Sequence, residues 1–244
     1  MKAYSDLGGE KTYYKLSNYD AVKGIVGHEC VNEVIVDRIL TILGIEHLSY
    51  ELIHADVLVD GSTYTTWLCA SRDFKQPGES KLALDAFYQA ERLKDESPLA
   101  FCIRNGWADY IWQMLATDFL ILNRDRHGAN IEALRNSRKK MLRLAPLFDH
   151  GRSLLFNCLD VKAVERIQAL EDKPVQCFVG SRSAWENLKL IPAGQMPKLN
   201  PLCETDREML FDGLEDAMPQ VWRDKIWEML WNRWKCYEDF CNQG

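Results

Sequence analysis

Two acidic loops flank a basic hairpin between residues 123 and 151. The first reads Asn123-Arg124-Asp125-Arg126-His127-Gly128-Ala129-Asn130, the second Leu147-Phe148-Asp149-His150-Gly151. Asp-x-x-x-x-Asn followed downstream by Asp-x-Gly is the spacing that phosphoryl transfer from magnesium-bound ATP requires. One carboxylate orients the acceptor hydroxyl, while an asparagine five residues on and a second aspartate hold the metal. Such transfer asks for positioning and charge neutralisation more than covalent work by the protein. On that logic Asp125 is the expected base. Asn130 and Asp149 are the expected metal ligands, converging with it on one divalent cation. A strand lysine should neutralise the nucleotide phosphates, and Lys15 is the candidate. A carboxylate on the next helix should hold that lysine. Glu33 and Glu29 share one helical face, so either could reach it.

The elements that must position these groups are legible in outline. Lys11–Ser17 alternates and is rich in β-formers after a Gly8-Gly9 turn, which predicts a strand. From about His28 to Leu43 the apolar positions Val31, Val34, Ile35, Ile39, Ile42 and Leu43 recur at helical spacing, and Gly44 supplies the stop. Ser49–Val59 and Ser62–Ala70, joined by Asp60-Gly61, predict a β-hairpin. The polar stretch Arg72–Lys81, with Pro77-Gly78, reads as a connector into a mostly helical region. That region includes a helix over Asp109–Leu120 and a hairpin of Ile131–Leu134 with Met141–Leu147. It closes on a tryptophan-rich helix over Val221–Phe240, whose aromatic stripe reads as core. The expected domains are a small lobe over residues 1–71 and a helical lobe over 72–244.

Composition limits the function classes. The chain has 244 residues, 47% of them hydrophobic and 27% charged, which describes a globular protein able to bury a sizeable core. A net charge of −6 argues against direct nucleic-acid binding, which normally needs a basic face. Arg135, Arg138, Lys139, Lys140 and Arg143 nevertheless cluster locally, as a solvated turn or as a docking patch for an acidic substrate. The eight cysteines show no C-x-x-C pair and fit free thiols in a reducing compartment. No apolar leader and no membrane-length apolar run is present, so a cytoplasmic protein without membrane attachment is expected.

The two loops, with Leu144-Ala145-Pro146 ahead of the second, resemble the catalytic and metal-binding loops of HipA-like kinases. These belong to the protein-kinase and phosphatidylinositol-kinase superfamily. Asn123, Asp125, His127 and Asn130 fill the fixed positions of that family's Asn-x-Asp-x-His-x-x-Asn loop. Asn32-Glu33 and Leu43-Gly44-Ile45 are similar to a helix it carries, and the resemblance spans about residues 8–156. It implies an α+β, two-lobed protein-kinase-like fold with ATP and Mg2+ as cofactors. It implies Asp125 as base, Asn130 and Asp149 as magnesium ligands, and Lys15 on the phosphates with Glu33 as its ion-pair partner. Main-chain groups near Cys69–Arg72 would meet the adenine, and His127 would brace the catalytic loop by hydrogen bonding, as would Asn123. The implied acceptor is a protein Ser or Thr, with self-phosphorylation and a toxin–antitoxin-like partner within the family's range.

The chain departs from the wider kinase pattern in two places. No G-x-G-x-x-G loop precedes Lys15, so either Gly8-Gly9 acts as an abbreviated phosphate cover or nucleotide binding is weak. Asp149-His150-Gly151 lacks the central Phe of the protein-kinase metal motif. Two other classes stay in view. A metal-dependent phosphohydrolase could use Asp125, His127, Asp149 and His150, but it leaves Lys15, Glu33 and Asn130 without a role. A kinase-like scaffold fits the shortened glycine segment but does not need all three of Asp125, Asn130 and Asp149.

Overall fold

The computed structural model describes residues 1–8 and 10–242. In chain order its elements are β1 (Lys2–Leu7), β2 (Glu10–Leu16), β3 (Asn18–Asp20), β4 (Gly24–Val26), α1 (Glu29–Leu43), β5 (Glu51–Val59) and β6 (Ser62–Arg72). There follow β7 (Ser80–Ala83), α2 (Leu84–Glu91), α3 (Pro98–Arg104), α4 (Ala108–Leu120), β8 (Asp125–Arg126), β9 (Glu132–Asn136) and β10 (Met141–Leu144). The chain closes with α5 (Val161–Glu165), β11 (Gln176–Cys177), α6 (Ala184–Leu188), α7 (Asp206–Phe211) and α8 (Gln220–Asn242). The fold is mixed α/β.

Two compact units emerge. One comprises Met1–Asp73, Asp149–Ala169 and Asn200–Trp231, and the other Phe74–Phe148, Leu170–Leu199 and the chain from Asn232 on. This partition differs from a division at residues 71 and 72, because later segments return to the first unit. The ties that return them join residues far apart in sequence. Arg38 donates to the carbonyls of Leu210 and Asp212, and Trp222 Nε1 donates to the carbonyl of Cys158.

In the first unit a four-stranded sheet runs in the order β1-β2-β6-β5, all neighbours antiparallel. Leu16, Val59 and Leu68 are buried on it, with Tyr14, Tyr19, Ile53 and Tyr64 packed around them. Helix α1 buries Val31, Val34, Ile35, Ile39, Leu40 and Leu43. It stops at Gly44, whose φ of 73° is left-handed. There Ile45 N–H reaches the Leu40 carbonyl at 2.9 Å and Gly44 N–H the Thr41 carbonyl at 3.2 Å, closing a Schellman motif. Asn200 adds bonds to the exposed carbonyls of Ile42 and Leu43.

In the second unit a three-stranded antiparallel sheet runs β10-β9-β7. Phe101, Ile111, Met114, Leu115 and Phe119 of α3 and α4 are fully or almost fully buried. Arg233 of α8, itself without exposure, donates to the carbonyls of Phe119 and Glu171. The tryptophan stripe of α8 is core only in part. Trp222 and Trp234 are buried, whereas Trp227 and Trp231 are half-buried and stack on each other at 5.6 Å.

Two elements correct the sequence reading. β1 lies where no strand was expected, because Lys2, Ala3, Tyr4 and Asp6 are all exposed, which erases the period-2 signal. β6 runs on to Arg72 and β7 begins at Ser80, so strands trim both ends of the stretch read as a connector, and the region beyond residue 72 carries a sheet as well as helices.

The left-handed stop of α1 gives a stability prediction. A Cβ at residue 44 would meet Asn200 Nδ2 at 2.8 Å as well as the positive φ. Gly44→Ala is expected to lower unfolding free energy by about 1–2 kcal/mol in urea titration. A neutral or stabilising effect would contradict the cap.

Candidate functional site

Lys15 lies on β2, in register with Lys2 of β1 and Cys69 of β6. The cross-strand pairing of two lysines is unfavourable unless an anion neutralises them. Asp149 does so: one carboxylate oxygen takes Lys15 Nζ, and the other takes Lys2 Nζ at 3.0 Å. Lys15 Nζ also contacts Glu33 Oε1 at 2.5 Å, and the Glu33 side chain has no exposure. The second Glu33 oxygen accepts the His150 N–H at 2.7 Å. Of the two glutamates on α1, Glu33 therefore pairs with Lys15, while Glu29 accepts from Asn18 N–H.

The loop after Asp149 is built to keep this cluster in place. Asn32 Nδ2 donates to the carbonyls of Gly151 and Ser153, both at 3.1 Å. A Cβ on Gly151 would lie 3.0 Å from Lys15 Nζ and 3.1 Å from Glu33 Oε1, so a larger residue would press on the lysine and shift it by a few tenths of an ångström. Asp149 itself adopts φ 58°, a left-handed conformation that aspartate and asparagine tolerate better than most residues. Its N–H donates to the Tyr50 hydroxyl at 3.3 Å. Burial, with the nearby Glu33 carboxylate, pushes the Tyr50 phenol well above its ordinary range.

Charge coupling follows from this packing. Burial opposes the ammonium of Lys15, but Glu33 and Asp149 outweigh it and hold the group above its ordinary 10.5. Burial likewise works against the Asp149 carboxylate, yet Lys15 and Lys2 hold it below its ordinary 3.8. Both groups are thus charged across the whole neutral range.

The residues around Asp125 are assembled separately, within the second unit. Buried Asp118, at the end of α4, accepts from Arg126 Nε at 3.0 Å, from Arg126 Nη2 at 2.9 Å and from Asn123 Nδ2 at 2.8 Å. Asn123 Oδ1 then accepts the Asp125 N–H at 3.1 Å. Arg126 Nη1 donates to the carbonyls of Asn130 and Phe148. Asn130 Nδ2 donates to the Asp125 carbonyl at 2.8 Å, which fixes which end of its amide is committed. A parallel pairing of β8 with β11 adds main-chain support, and Gly128 fits because a Cβ there would lie 2.5 Å from Asp85 Cβ.

His127 does not brace this loop as expected. Its side chain is 44% exposed and its Nε2 lies 3.7 Å from Asp125 Oδ1, beyond hydrogen-bond reach. Arg126 and Asp118 do the bracing instead. They were missed because an arginine beside an acidic motif reads as a surface ion pair, and nothing in the sequence marks a partner eight positions back. Lys2 was missed with its strand. Cys69–Arg72, whose main-chain groups were expected to meet adenine, is the end of strand β6, with Cys69 and Ala70 laddered to both β2 and β5. Only Ser71 and Arg72 lack a β5 partner in that register. Gly8 sits at φ 65° in the turn after β1, and Gly9 lies outside the described residues.

Taken singly, each of the two expected ligands has the chemistry that magnesium prefers. Asp149 is a carboxylate held ionised, and Asn130 has its amide nitrogen engaged elsewhere, leaving the amide oxygen as its ligating end; magnesium takes such hard oxygen ligands. Among the described residues, no group of three or more His, Cys, Asp or Glu forms a metal-binding cluster.

A solved kinase structure shares this fold. The chain superposes on a proinflammatory kinase of Helicobacter pylori, CtkA, with a TM-score of 0.70 at 16% identity, covering 99% of this chain and 93% of that one. A weaker match, TM-score 0.44 at 13% identity, is to HipA of Shewanella oneidensis MR-1, solved with HipB and operator DNA; it covers 99% of this chain and 56% of that one. No family model matches the chain, and no curated relative was found. The kinase resemblance drawn from the motif residues is borne out at the level of the fold.

The charge cluster predicts a pH signature. Asp149 has a lower pKa folded than unfolded, so its contribution is present above its unfolded value and is lost as pH falls. Lys15 has the opposite shift, so its contribution is lost only above its ordinary range. Asp149→Asn keeps a residue that accepts the left-handed φ. The stability margin of wild type over Asp149→Asn should stay flat from about pH 5 to about pH 9 and shrink below about pH 4. Urea titrations across that range measure it, and a margin growing in acid would contradict the pairing.

Proposed function

We propose that the protein is an ATP- and magnesium-dependent kinase that transfers the γ-phosphoryl group to a hydroxyl, with Ser or Thr of a protein, its own chain included, as acceptor. One observation carries the reading: a strand lysine held by a fully buried helix glutamate and by the aspartate of an Asp-x-Gly loop, in a chain whose fold matches a kinase. A surface ion pair needs no buried carboxylate, and burying one without function is costly.

Magnesium-bound ATP supplies the phosphoryl group and the metal charge that offsets its oxygens. In this chain Lys15, kept charged by Glu33, binds phosphate oxygens. Asp149 and Asn130 would be the metal's oxygen ligands. Asp125, fixed through Asn123 and the Arg126–Asp118 pair, orients the acceptor hydroxyl and takes its proton. Lys2, on the far oxygen of Asp149, positions that carboxylate when Lys15 turns to phosphate.

Two variants test separate parts. Asp125→Ala is expected to slow transfer by about 10²-fold or more while nucleotide affinity is kept. Equal losses in binding and rate would mark Asp125 as structural. Asp149→Asn should abolish the magnesium-dependent thermal stabilisation by ATP together with all labelling from γ-labelled ATP. Labelling near the wild-type rate would overturn the metal assignment.

A further inference from the structure

The hairpin β9–β10 has a role that the phosphoryl-transfer residues do not account for. Between it and α2 lies a cavity of about 370 Å3 lined by Phe87, Glu91, Arg135, Lys140, Met141 and Leu142, with Asn136 and Ser137 at the turn. Met141 is 52% and Leu142 39% exposed, an unusual amount of apolar surface for two adjacent strand residues. On the same hairpin Arg143 pairs with Glu79 at 2.9 Å. By contrast Arg135, Arg138 and Lys140 form no ion pair among the described residues, in a chain of net charge −6.

The backbone adds a second argument. Strand β10 is at the edge of its sheet. Ala145 N–H bonds to the Glu132 carbonyl and Leu84 N–H to the Ile131 carbonyl, both at 2.8 Å. Because antiparallel bonds alternate, β9 turns its even-numbered main-chain groups to β10 and its odd-numbered ones to β7. Leu142, opposite Arg135, therefore points its own N–H and carbonyl away from β9. Among the described residues no hydrogen bond engages them. An edge of this kind, beside exposed apolar side chains and cations, is what strand addition by a peptide uses: main-chain bonds hold the peptide and flanking side chains select it.

We propose that this groove docks an extended, acidic segment of a protein, added as a strand to the open edge of β10. Its acidic side chains meet Arg135 and Lys140, and its apolar ones cover Leu142 and Phe87. Glu91, the one carboxylate lining the groove, sets the direction by repelling acidic residues at its end. A nucleic acid would bring the negative charge but not the main-chain donors that Leu142 faces. The proposal rests on the kinase reading only in taking the docked segment as part of the phosphate acceptor.

Fluorescence anisotropy without ATP tests it, using a labelled peptide of alternating Glu and Val, a twin with Lys for Glu, and a single-stranded oligonucleotide of equal charge. The acidic peptide should bind at least about ten-fold tighter than either competitor, and salt should weaken it. Arg135→Glu with Lys140→Glu should weaken it at least about ten-fold. Leu142→Pro should do the same independently, since it removes an outward N–H and no ladder bond. Unchanged binding in both variants, no binding at all, or tighter binding of the oligonucleotide would overturn the proposal. A chain that labels itself from ATP yet binds no peptide loses only the docking site. A chain that binds the peptide but shows no response to ATP loses only the kinase reading.

Discussion

A carboxylate without solvent exposure survives folding only if cations and donors enclose it, and Glu33 is such a group. Its requirements organise the first unit. One oxygen demands a cation, which fixes the side of the sheet on which Lys15 must emerge and hence the register of β2. The other demands an N–H, which the backbone at His150 supplies. That bond draws in the loop carrying Asp149, and Asp149 in turn neutralises both Lys15 and Lys2. Gly151 then leaves room for the lysine, and Asn32 answers the carbonyls of the loop. A helix residue, two strand residues and a loop more than a hundred positions away thus depend on one buried charge.

The second unit repeats the principle with different residues. Arg126 is almost wholly buried and answers Asp118 through a two-pronged contact, with its remaining nitrogen on two carbonyls. Asn123 carries that rigidity to Asp125 through a single main-chain bond. That main-chain bond sets where the Asp125 side chain leaves the loop. The basic hairpin obeys the opposite rule: among the described residues Arg135, Arg138 and Lys140 form no ion pair, and the outward main-chain groups of Leu142 are unbonded.

Patterns with local causes were readable from the residues. Helix α1 follows from apolar spacing and a glycine that can take the left-handed stop, and the β5–β6 hairpin from Asp60-Gly61 between alternating runs. Asp125, Asn130 and Asp149 stand out as candidates in the sequence because the spacing expected for phosphoryl transfer falls within short loops. Strand β1 was not legible, since Lys2, Ala3, Tyr4 and Asp6 are exposed whichever face they occupy. Nor was β7, which sits beside Pro77-Gly78 and owes its strand form to its partner β9.

The sequence by itself determined which residues are chemically equipped and where the strong local elements begin and end, because dihedral preference and periodicity act over a few residues. Tertiary structure decided the choice of Glu33 over Glu29, the service of Lys2, the Asp118–Arg126 brace in place of His127, and the return of residues 149–169 and 200–231 to the first unit. Each of these is a contact between groups distant along the chain. Burial and charge neutralisation select such contacts only once the backbone has brought the groups together.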